Sequence, residues 1–217
     1  SGTVEVGTPE SLLSGVVFTR DGQMALVTRN NDSLVSVLSI QGTRVENAKQ
    51  DFAANLKPYG IDVSPAGDTA IVASIGVGAT GGADTLSVID LTATPPRTVN
   101  HLAVGPVAEG LAIAPDGRHV AVTVMNGSNA AKTSPFFREF GWLRVYSVNK
   151  TALALVAETQ IGRWCQGVAW SADARTILAQ CAVEQEIRTF GFDGRRLATG
   201  PSIKVSGGPS GIRTVQK

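Results

Sequence analysis

Three acidic residues lie next to apolar, strand-like segments, where carboxylates could act as general acids, general bases or metal ligands. Asp62 stands two residues after a glycine, Glu109 directly before one and Glu10 five residues before one. Such groups could converge at one pocket if the segments that carry them are neighbours in the fold. Because their positions relative to these glycines differ, the pattern specifies no catalytic set, and we predict no catalytic residue.

The other reactive residue types form no recognisable catalytic or metal-binding motif. His101 and His119 have no partners at the spacing of zinc ligands, so we expect no metal and no cofactor. The serines of "SPAG" and "WSAD" are typical turn residues rather than nucleophiles. The glycine-rich "GVGATGG" (76–82) lacks the helix and the Lys-Ser/Thr pair of a phosphate-binding loop, and "NGS" (126–128) matches a glycosylation acceptor by pattern alone.

The two cysteines, Cys165 and Cys181, lie on either side of a hairpin that turns at residues 171–175. If Ser171 faces Arg175, the cysteines are directly opposed at a Cα separation that a disulfide can bridge. The alternative is a pair of reduced, buried thiols. We predict a disulfide, which favours an oxidising compartment, so the protein is expected to be periplasmic or secreted.

Composition describes an ordinary globular protein and excludes two classes of partner. The 217 residues are 43% hydrophobic and 17% charged, with a formal net charge of +1. This balance does not favour a polyanion, so we expect no nucleic-acid partner. The longest apolar runs are too short and too glycine-rich to cross a bilayer, so we expect no membrane span.

A hairpin-like pattern recurs along the chain, and it is the main evidence for the fold. Each copy has an apolar alternation, a turn and a second apolar alternation, opened by a glycine. The copies are "SGVVFTRDGQMALVT" (14–28), "YGIDVSPAGDTAIVA" (59–73), "EGLAIAPDGRHVAVT" (109–123) and "QGVAWSADARTILAQ" (166–180), and a fifth start is "SGIRTVQK" (210–217). The opening glycines lie roughly 44 to 57 residues apart, a period typical of propeller blades or solenoid repeats.

Each repeat also contains two further strand-like segments, which define its architecture. The third segments are "LVSVLSI" (34–40), "TLSVIDL" (85–91), "WLRVYSV" (142–148) and "EIRTFGF" (186–192). Four short antiparallel strands per repeat, with no helical periodicity, predict an all-β fold. Four-stranded sheets arranged radially form a β-propeller, here with four complete blades.

Glycines have two roles in this pattern. In "TRDG", "SPAG" and "APDG" the glycine suits the left-handed position of a turn, whereas "SADA" places Ala174 there, so that turn should be strained or of another type. The glycine that opens each inner strand permits a close backbone approach, as expected where inner strands crowd around a central channel.

The segment "YGIDVSPAGDTAIVAS", followed by "DTLSVIDL", resembles the YVTN-type repeat of seven-bladed β-propellers, a superfamily that includes the lactonase-like propellers. The resemblance implies a closed ring of seven blades, in a superfamily of enzymes, binding proteins and surface proteins. Residues 1–217 would then be a single domain, the C-terminal portion of a longer propeller whose N-terminal blades are a potential partner. Thr3–Val6 and Gly211–Val215 would be orphan strands of a closing blade, whereas the alternative is a self-contained four-bladed ring.

Loop lengths suggest which face of the propeller binds a ligand. Residues 74–84 and 125–141 are the two long loops, and both should project onto the face that carries the connections between blades. Long loops on a rigid scaffold commonly carry function. We therefore predict that ligand-binding residues lie on this face, in the segments that lead into the inner strands and in the larger loop. These residues are Glu10, Tyr59, Glu109, Arg138, Trp142, Trp164 and Gln166.

These observations favour a non-catalytic binding or scaffold propeller of the bacterial cell envelope that uses this face, including the 125–141 loop. Its partner would be an unidentified protein or small-molecule ligand. The alternative is a lactonase-like hydrolase acting at the channel mouth, which needs convergent titratable groups rather than a concave polar and aromatic surface. A third possibility is a protein-interaction platform formed by the aromatic residues of the larger loop.

Overall fold

The computed structural model of the chain describes residues 2–214, whose sixteen strands form four antiparallel sheets. In each sheet four consecutive strands pair in chain order, which confirms the predicted all-β fold with four complete blades. Blade 1 contains β1 (Leu13–Phe18), β2 (Met24–Arg29), β3 (Leu34–Gln41) and β4 (Arg44–Ala53). Blade 2 contains β5 (Pro58–Val63), β6 (Thr69–Ser74), β7 (Asp84–Asp90) and β8 (Arg97–Gly105). Blade 3 contains β9 (Ala108–Ile113), β10 (His119–Val124), β11 (Gly141–Asn149) and β12 (Ala152–Ile161). Blade 4 contains β13 (Cys165–Trp170), β14 (Thr176–Cys181), β15 (Glu186–Phe192) and β16 (Leu197–Lys204).

Helical structure is confined to two short 3₁₀ turns, Pro9–Ser11 and Asn30–Asp32, within residues 2–214. A search of the same residues for a helix with the length and apolar character needed to cross a bilayer finds none.

The core consists of three apolar layers, one between each pair of successive blades. Side chains one and three residues after the opening glycine point toward the preceding blade: Ile61 and Val63 pack on Leu26 and Val35 of blade 1. Leu111 and Ile113 pack in the same way on blade 2, and Val168 and Trp170 pack on blade 3. The period-two alternation of the inner strand therefore directs successive side chains to different inter-blade layers.

The opening glycines allow successive inner strands to approach closely. A Cβ atom on Gly15, Gly60 or Gly110 would overlap the backbone carbonyl of Tyr59, Glu109 or Gln166, respectively, in the next blade. The predicted close approach is therefore confirmed at all three internal junctions.

A second repeated feature shapes the start of each inner strand. The residue three positions before each opening glycine has a positive φ: Leu12 (50°), Lys57 (54°), Val107 (59°) and Trp164 (52°). Its carbonyl accepts the N–H of the residue that follows the second strand of the same blade, as in the 3.0 Å bond from Ile75 N to Lys57 O. A shift in strand register follows in every blade, and such bulges change the direction of the side chains they contain.

The disulfide between Cys165 and Cys181 joins the first two strands of blade 4, with an S–S distance of 2.05 Å. The two residues are opposite each other in the β13–β14 register, as the turn position predicts. Both are buried, so the bond lies inside the apolar layer between blades 3 and 4.

The terminal segments differ from the predicted orphan strands. Residues 3–6 and 211–214 form no strand, because within residues 2–214 no further strand pairs its backbone groups with either segment. The first segment contacts blade 1 through a 3.0 Å hydrogen bond from Asn47 Nδ2 to the Glu5 carbonyl. The second lies beside the inner strand of blade 4, with Ile212 next to Gly167. Val215 lies outside the described residues.

Candidate functional site: the axial channel

A cavity of about 530 Å³ lies between the inner strands of all four blades. Phe18, Asp62, Ile113 and Trp170 contribute to its wall, one from each inner strand. The cavity reaches the face of the hairpin turns, because turn residues also line it, namely Arg20, Ser64, Pro65, Pro115, Ser171 and Ala172. This end of the channel is opposite the loop-bearing face from which the ligand-binding residues are predicted.

Asp62 is the buried acidic group of this cavity, with only 6% of its surface exposed. The backbone N–H of Ile113 donates to Oδ2 at 2.8 Å, and that of Val63 donates to Oδ1 at 3.0 Å. Burial raises the pKa of the carboxyl above its ordinary value, although these two bonds and the charge of Arg213 oppose the rise. Each carboxyl oxygen has two lone pairs, so each can accept a further hydrogen bond from a ligand in the cavity.

The position of Asp62 in the repeat makes this carboxyl unusual. Two residues after the opening glycine, the other three blades have Val17, Ala112 and Ala169. The fold therefore accommodates a small apolar side chain here, and a carboxyl costs desolvation energy that an alanine would not. Titratable groups with a pKa perturbed by burial inside a cleft are candidates for function.

The rest of the wall combines aromatic rings with two guanidinium groups. Phe18 and Trp170 contribute apolar surface, and the Trp170 indole N–H is occupied by the Ala112 carbonyl at 2.9 Å. Arg20 and Arg213 line the same cavity. A small ligand with an apolar ring face and oxygen atoms would match these walls.

A second polar cluster lies at the starts of the inner strands, toward the loop-bearing face. Gln166 Nε2 donates to Glu109 Oε1 at 2.5 Å, which links blades 4 and 3. Burial raises the pKa of Glu109, and the Gln166 hydrogen bond partly opposes this. Burial also raises the pKa of Tyr59, as does the nearby Glu109 carboxyl. The structure thus brings together three of the predicted ligand-binding residues.

The other four predicted residues lie outside this cluster. Glu10 is exposed, and a hydrogen bond from the Thr8 hydroxyl lowers the pKa of its carboxyl. Trp164 is half exposed, and its backbone N–H donates to Ser128 Oγ at 3.0 Å. Arg138 donates to the carbonyls of its own loop. Trp142 packs edge-on against Phe140 and beneath the Arg144 guanidinium, at the margin of the layer between blades 2 and 3.

The 125–141 loop is folded back on the propeller rather than extended from it. The Phe136 ring lies against Gly81 of the other long loop, where an added Cβ would be 2.7 Å from the ring. Ser128 is buried, and Asn126 Nδ2 donates to the Phe140 carbonyl at 3.3 Å. The side-chain amide of the "NGS" triplet is therefore hydrogen-bonded within the folded loop.

Sequence reasoning considered Asp62 but missed Arg20, Trp170 and Arg213 as residues of the channel. The repeat alignment could have revealed the turn residues, since Arg20, Pro65, Pro115 and Ala172 share one position. No sequence pattern predicts the path of residues 212–214, because this path depends on packing against blade 4. Within residues 2–214, no group of three or more His, Cys, Asp or Glu side chains could hold a metal ion.

Comparison with known proteins supports the fold. The chain superposes on a protein of Bacteroides uniformis described as a candidate 6-phosphogluconolactonase, with a TM-score of 0.74 and 14% identity over 90% of the chain. It superposes on the periplasmic gluconolactonase of Pseudomonas aeruginosa with a TM-score of 0.70 and 19% identity over 93% of the chain. A third similar structure is the β-propeller domain of Myceliophteria thermophila Cps50, with a TM-score of 0.60 and 12% identity over 89% of the chain.

The chain spans 56%, 56% and 59% of these three structures, respectively. No protein-family model and no curated protein matches it, so membership of the YVTN family remains a prediction. Together, the four meander sheets, the axial cavity and these similarities show that the chain has a β-propeller fold.

Proposed function

We propose that the channel binds a small lactone and catalyses its hydrolysis, with Asp62 as the general base. The observation that carries this proposal is the buried Asp62 carboxyl, with a raised pKa, in a position where the other blades have alanine or valine. The other three blades form with an apolar residue at this position, so the repeat itself does not require a carboxyl there. The proposal therefore adopts the alternative of a lactonase-like hydrolase, and moves the site from the loop-bearing face to the channel.

The chemistry requires only groups that line the cavity. A water molecule would attack the lactone carbonyl carbon while the Asp62 carboxylate takes one of its protons. The ring C–O bond then breaks, and the ring oxygen leaves as a hydroxyl after receiving that proton. A raised pKa makes Asp62 a stronger base than an ordinary aspartate, and the Arg213 guanidinium would stabilise the negative charge on the carbonyl oxygen.

Two of the similar structures support this substrate class, because one is named a gluconolactonase and one a candidate 6-phosphogluconolactonase. The former is also periplasmic. The Cys165–Cys181 disulfide is compatible with an oxidising compartment. We therefore propose a periplasmic or secreted enzyme.

The test measures hydrolysis of glucono-δ-lactone and of 6-phosphoglucono-δ-lactone. The acid released is monitored over time, and the rate is corrected for spontaneous hydrolysis. Asp62→Asn should lower kcat by at least about 100-fold, the contribution expected of a general base. Asp84→Asn is the matched control: Asp84 is also desolvated and also accepts a backbone N–H, from Val107 at 2.6 Å, but it does not line the cavity. Equal activity of the two variants, or no turnover of either lactone, would refute the proposal.

The loop-bearing face supports a second candidate function, the binding of a partner. Large apolar side chains are exposed on its inter-blade leads, on its loops and at the start of β5, namely Leu12, Leu56, Tyr59, Val77, Phe136, Trp164 and Val183. Replacing Phe136, Phe137 and Arg138 together with alanine should abolish capture of a partner from an envelope extract while the fold is retained. Leu155→Ala, on the outer strand β12, is the control. Undiminished capture by the triple variant would exclude this role for the loop.

A further inference from the structure

Two residues of the inner strands differ in chemistry from their counterparts in the repeat, and they lie on either side of blade 3. Asp62 of blade 2 takes a position that is apolar in the other blades. Three residues after the opening glycine, blade 4 has Trp170, whose indole carries an N–H. The other blades have apolar side chains without a donor there, namely Phe18, Val63 and Ile113. A carboxyl on blade 2 and a donor on blade 4 therefore flank the inner strand of blade 3.

The peptide unit between Ala112 and Ile113, in β9, joins these two side chains. Trp170 Nε1 donates to its carbonyl oxygen at 2.9 Å, and its N–H donates to Asp62 Oδ2 at 2.8 Å. β9 is the edge strand of its sheet, and the next N–H along the chain, that of Ala114, donates to a carbonyl of β10. Because the N–H groups of an edge strand point alternately toward and away from its neighbour, the Ile113 N–H is free to bind the carboxyl.

The two hydrogen bonds form one chain, which runs from the indole through the peptide unit to the carboxyl. A carbonyl that accepts a hydrogen bond polarises its amide, and the N–H of that amide becomes a better donor. Trp170 is 3% exposed and Asp62 is 6% exposed, so water competes little with either bond. Hydrogen bonds to the charged form of a carboxyl favour that form. The indole therefore helps to keep Asp62 ionised, against the effect of its burial.

The identity of the acceptor distinguishes this bond from ordinary packing. A buried tryptophan usually finds some partner for its N–H, so the bond by itself would indicate only a satisfied donor. Here the acceptor is the same peptide unit that holds Asp62, and all the residues of the chain line the channel cavity.

We propose that Trp170 is a positioning residue for Asp62: through the Ala112–Ile113 peptide unit, its indole N–H orients and strengthens the hydrogen bond that holds the carboxylate in the channel. The inference rests on the proposed function only for its consequence in catalysis. There, the stronger bond keeps the general base of lactone hydrolysis ionised and fixed in orientation.

Other ionisable groups near Asp62 act independently of the indole. Within residues 2–214, Arg20 and Arg213 line the same cavity, and the charge of Arg213 lowers the pKa of Asp62. Tyr59 lies earlier in the same strand, and Glu109 lies at the corresponding place in β9, toward the loop-bearing face. The variants described below leave all four groups in place, so a change in the titration of Asp62 reports on the indole.

The experiment removes the N–H in two ways. Trp170→Phe retains an aromatic ring without a donor. Replacing Trp170 by 3-benzothienylalanine puts sulfur in place of the N–H and keeps almost the same shape, so this variant should fold even if Trp170→Phe does not. Phe192→Leu is the matched control: the Phe192 ring packs edge-on against Trp170, with 5.6 Å between the ring centres, so this change disturbs the same packing but retains the N–H.

The readout is the titration of Asp62 itself. The protein is labelled with ¹³C at the aspartate side-chain carboxyls, and the Asp62 signal is identified by its absence from the spectrum of Asp62→Asn. In both Trp170 variants the proton-dissociation constant of Asp62 should fall by about two- to fourfold, so that its titration moves to higher pH. In Phe192→Leu the titration should match that of the parent protein.

Two results would overturn the proposal. One is an unchanged Asp62 titration in the 3-benzothienylalanine variant. The other is an equal movement in Phe192→Leu, because packing rather than the N–H would then be its cause. The measurement needs no substrate, so it separates this proposal from the proposed function: a titration that moves in a protein without lactone turnover would refute only the hydrolysis.

Discussion

Replacing Ala174 by glycine should stabilise the protein, because Ala174 holds a turn conformation that suits glycine. Its φ is 58°, close to the 67°, 73° and 70° of Gly22, Gly67 and Gly117 at the same turn position. The turn itself is unchanged: Ala174 N donates to the Ser171 carbonyl at 3.0 Å, as Gly67 N does to Ser64 at 2.8 Å. The sequence left open whether this turn is strained or of another type. The structure shows a strained turn of the same type.

The magnitude follows from two opposing terms. An L-residue in the left-handed region costs about 1–2 kcal/mol, because its Cβ approaches the following carbonyl oxygen. Glycine loses more conformational freedom on folding than alanine does, and this entropic term favours alanine by about 0.5–1 kcal/mol. Ala174→Gly should therefore raise the free energy of unfolding by about 0.5–1 kcal/mol, or Tm by about 1–4 °C for a chain of this length.

Urea denaturation followed by far-UV circular dichroism, together with a thermal scan, measures the change. Gly67→Ala is the reverse control, since no atom lies within 4 Å of an added Cβ and only the conformational term acts. It should lower the free energy of unfolding by a similar amount. If Ala174→Gly lowers the urea midpoint, or Gly67→Ala leaves it unchanged, the reasoning from φ is wrong.

Three further predictions concern the disulfide, the buried carboxyl and the close approach of the inner strands. Replacing Cys165 and Cys181 by serine should cost about 3 kcal/mol of unfolding free energy, the value for a loop of this length, and added reductant should then have no further effect. Because the folded-state pKa of Asp62 is raised, the protonated carboxyl is favoured in the native state, and its stabilisation is present below the unfolded-state pKa and lost as pH rises through the folded-state pKa. The free energy of unfolding of the parent protein should therefore fall relative to that of Asp62→Asn as the pH rises above the ordinary aspartate pKa of about 3.9, and a constant difference in urea titrations would contradict this. Gly110→Ala should destabilise the fold by several kcal/mol, of the order of a buried overpacking defect, because the new Cβ overlaps a carbonyl of the next blade. Gly191→Ala is the control. No atom lies nearer than 3.9 Å to its added Cβ, so its unfolding midpoint should change little.

Local patterns were sufficient to predict the strands and their grouping into blades. The third strand of blade 4, predicted at 186–192, is Glu186–Phe192, and that of blade 1, predicted at 34–40, is Leu34–Gln41. These strand predictions are correct because the apolar alternation and the turn residues that specify a strand lie within a few positions of each other. The opposed cysteines follow for the same reason, since one turn determines the register of its hairpin.

The site was harder to predict because it depends on which blades meet. Asp62 contacts Ile113, and Gln166 contacts Glu109. The two residues of each pair are separated in sequence by roughly the length of one blade. The length of the loops indicated the face opposite to the one that the Asp62 cavity reaches. Loop length reports tolerance to insertion, whereas a cavity arises from how inner strands converge.

By itself, the sequence determined the repeat, the antiparallel strands and the disulfide register, all of which follow from local backbone preferences. Only the tertiary structure decided that Asp62 is desolvated inside the channel and that Glu109, Gln166 and Tyr59 form a cluster. These properties depend on burial. Burial is set by the neighbouring blades, which no local pattern in the inner strand encodes.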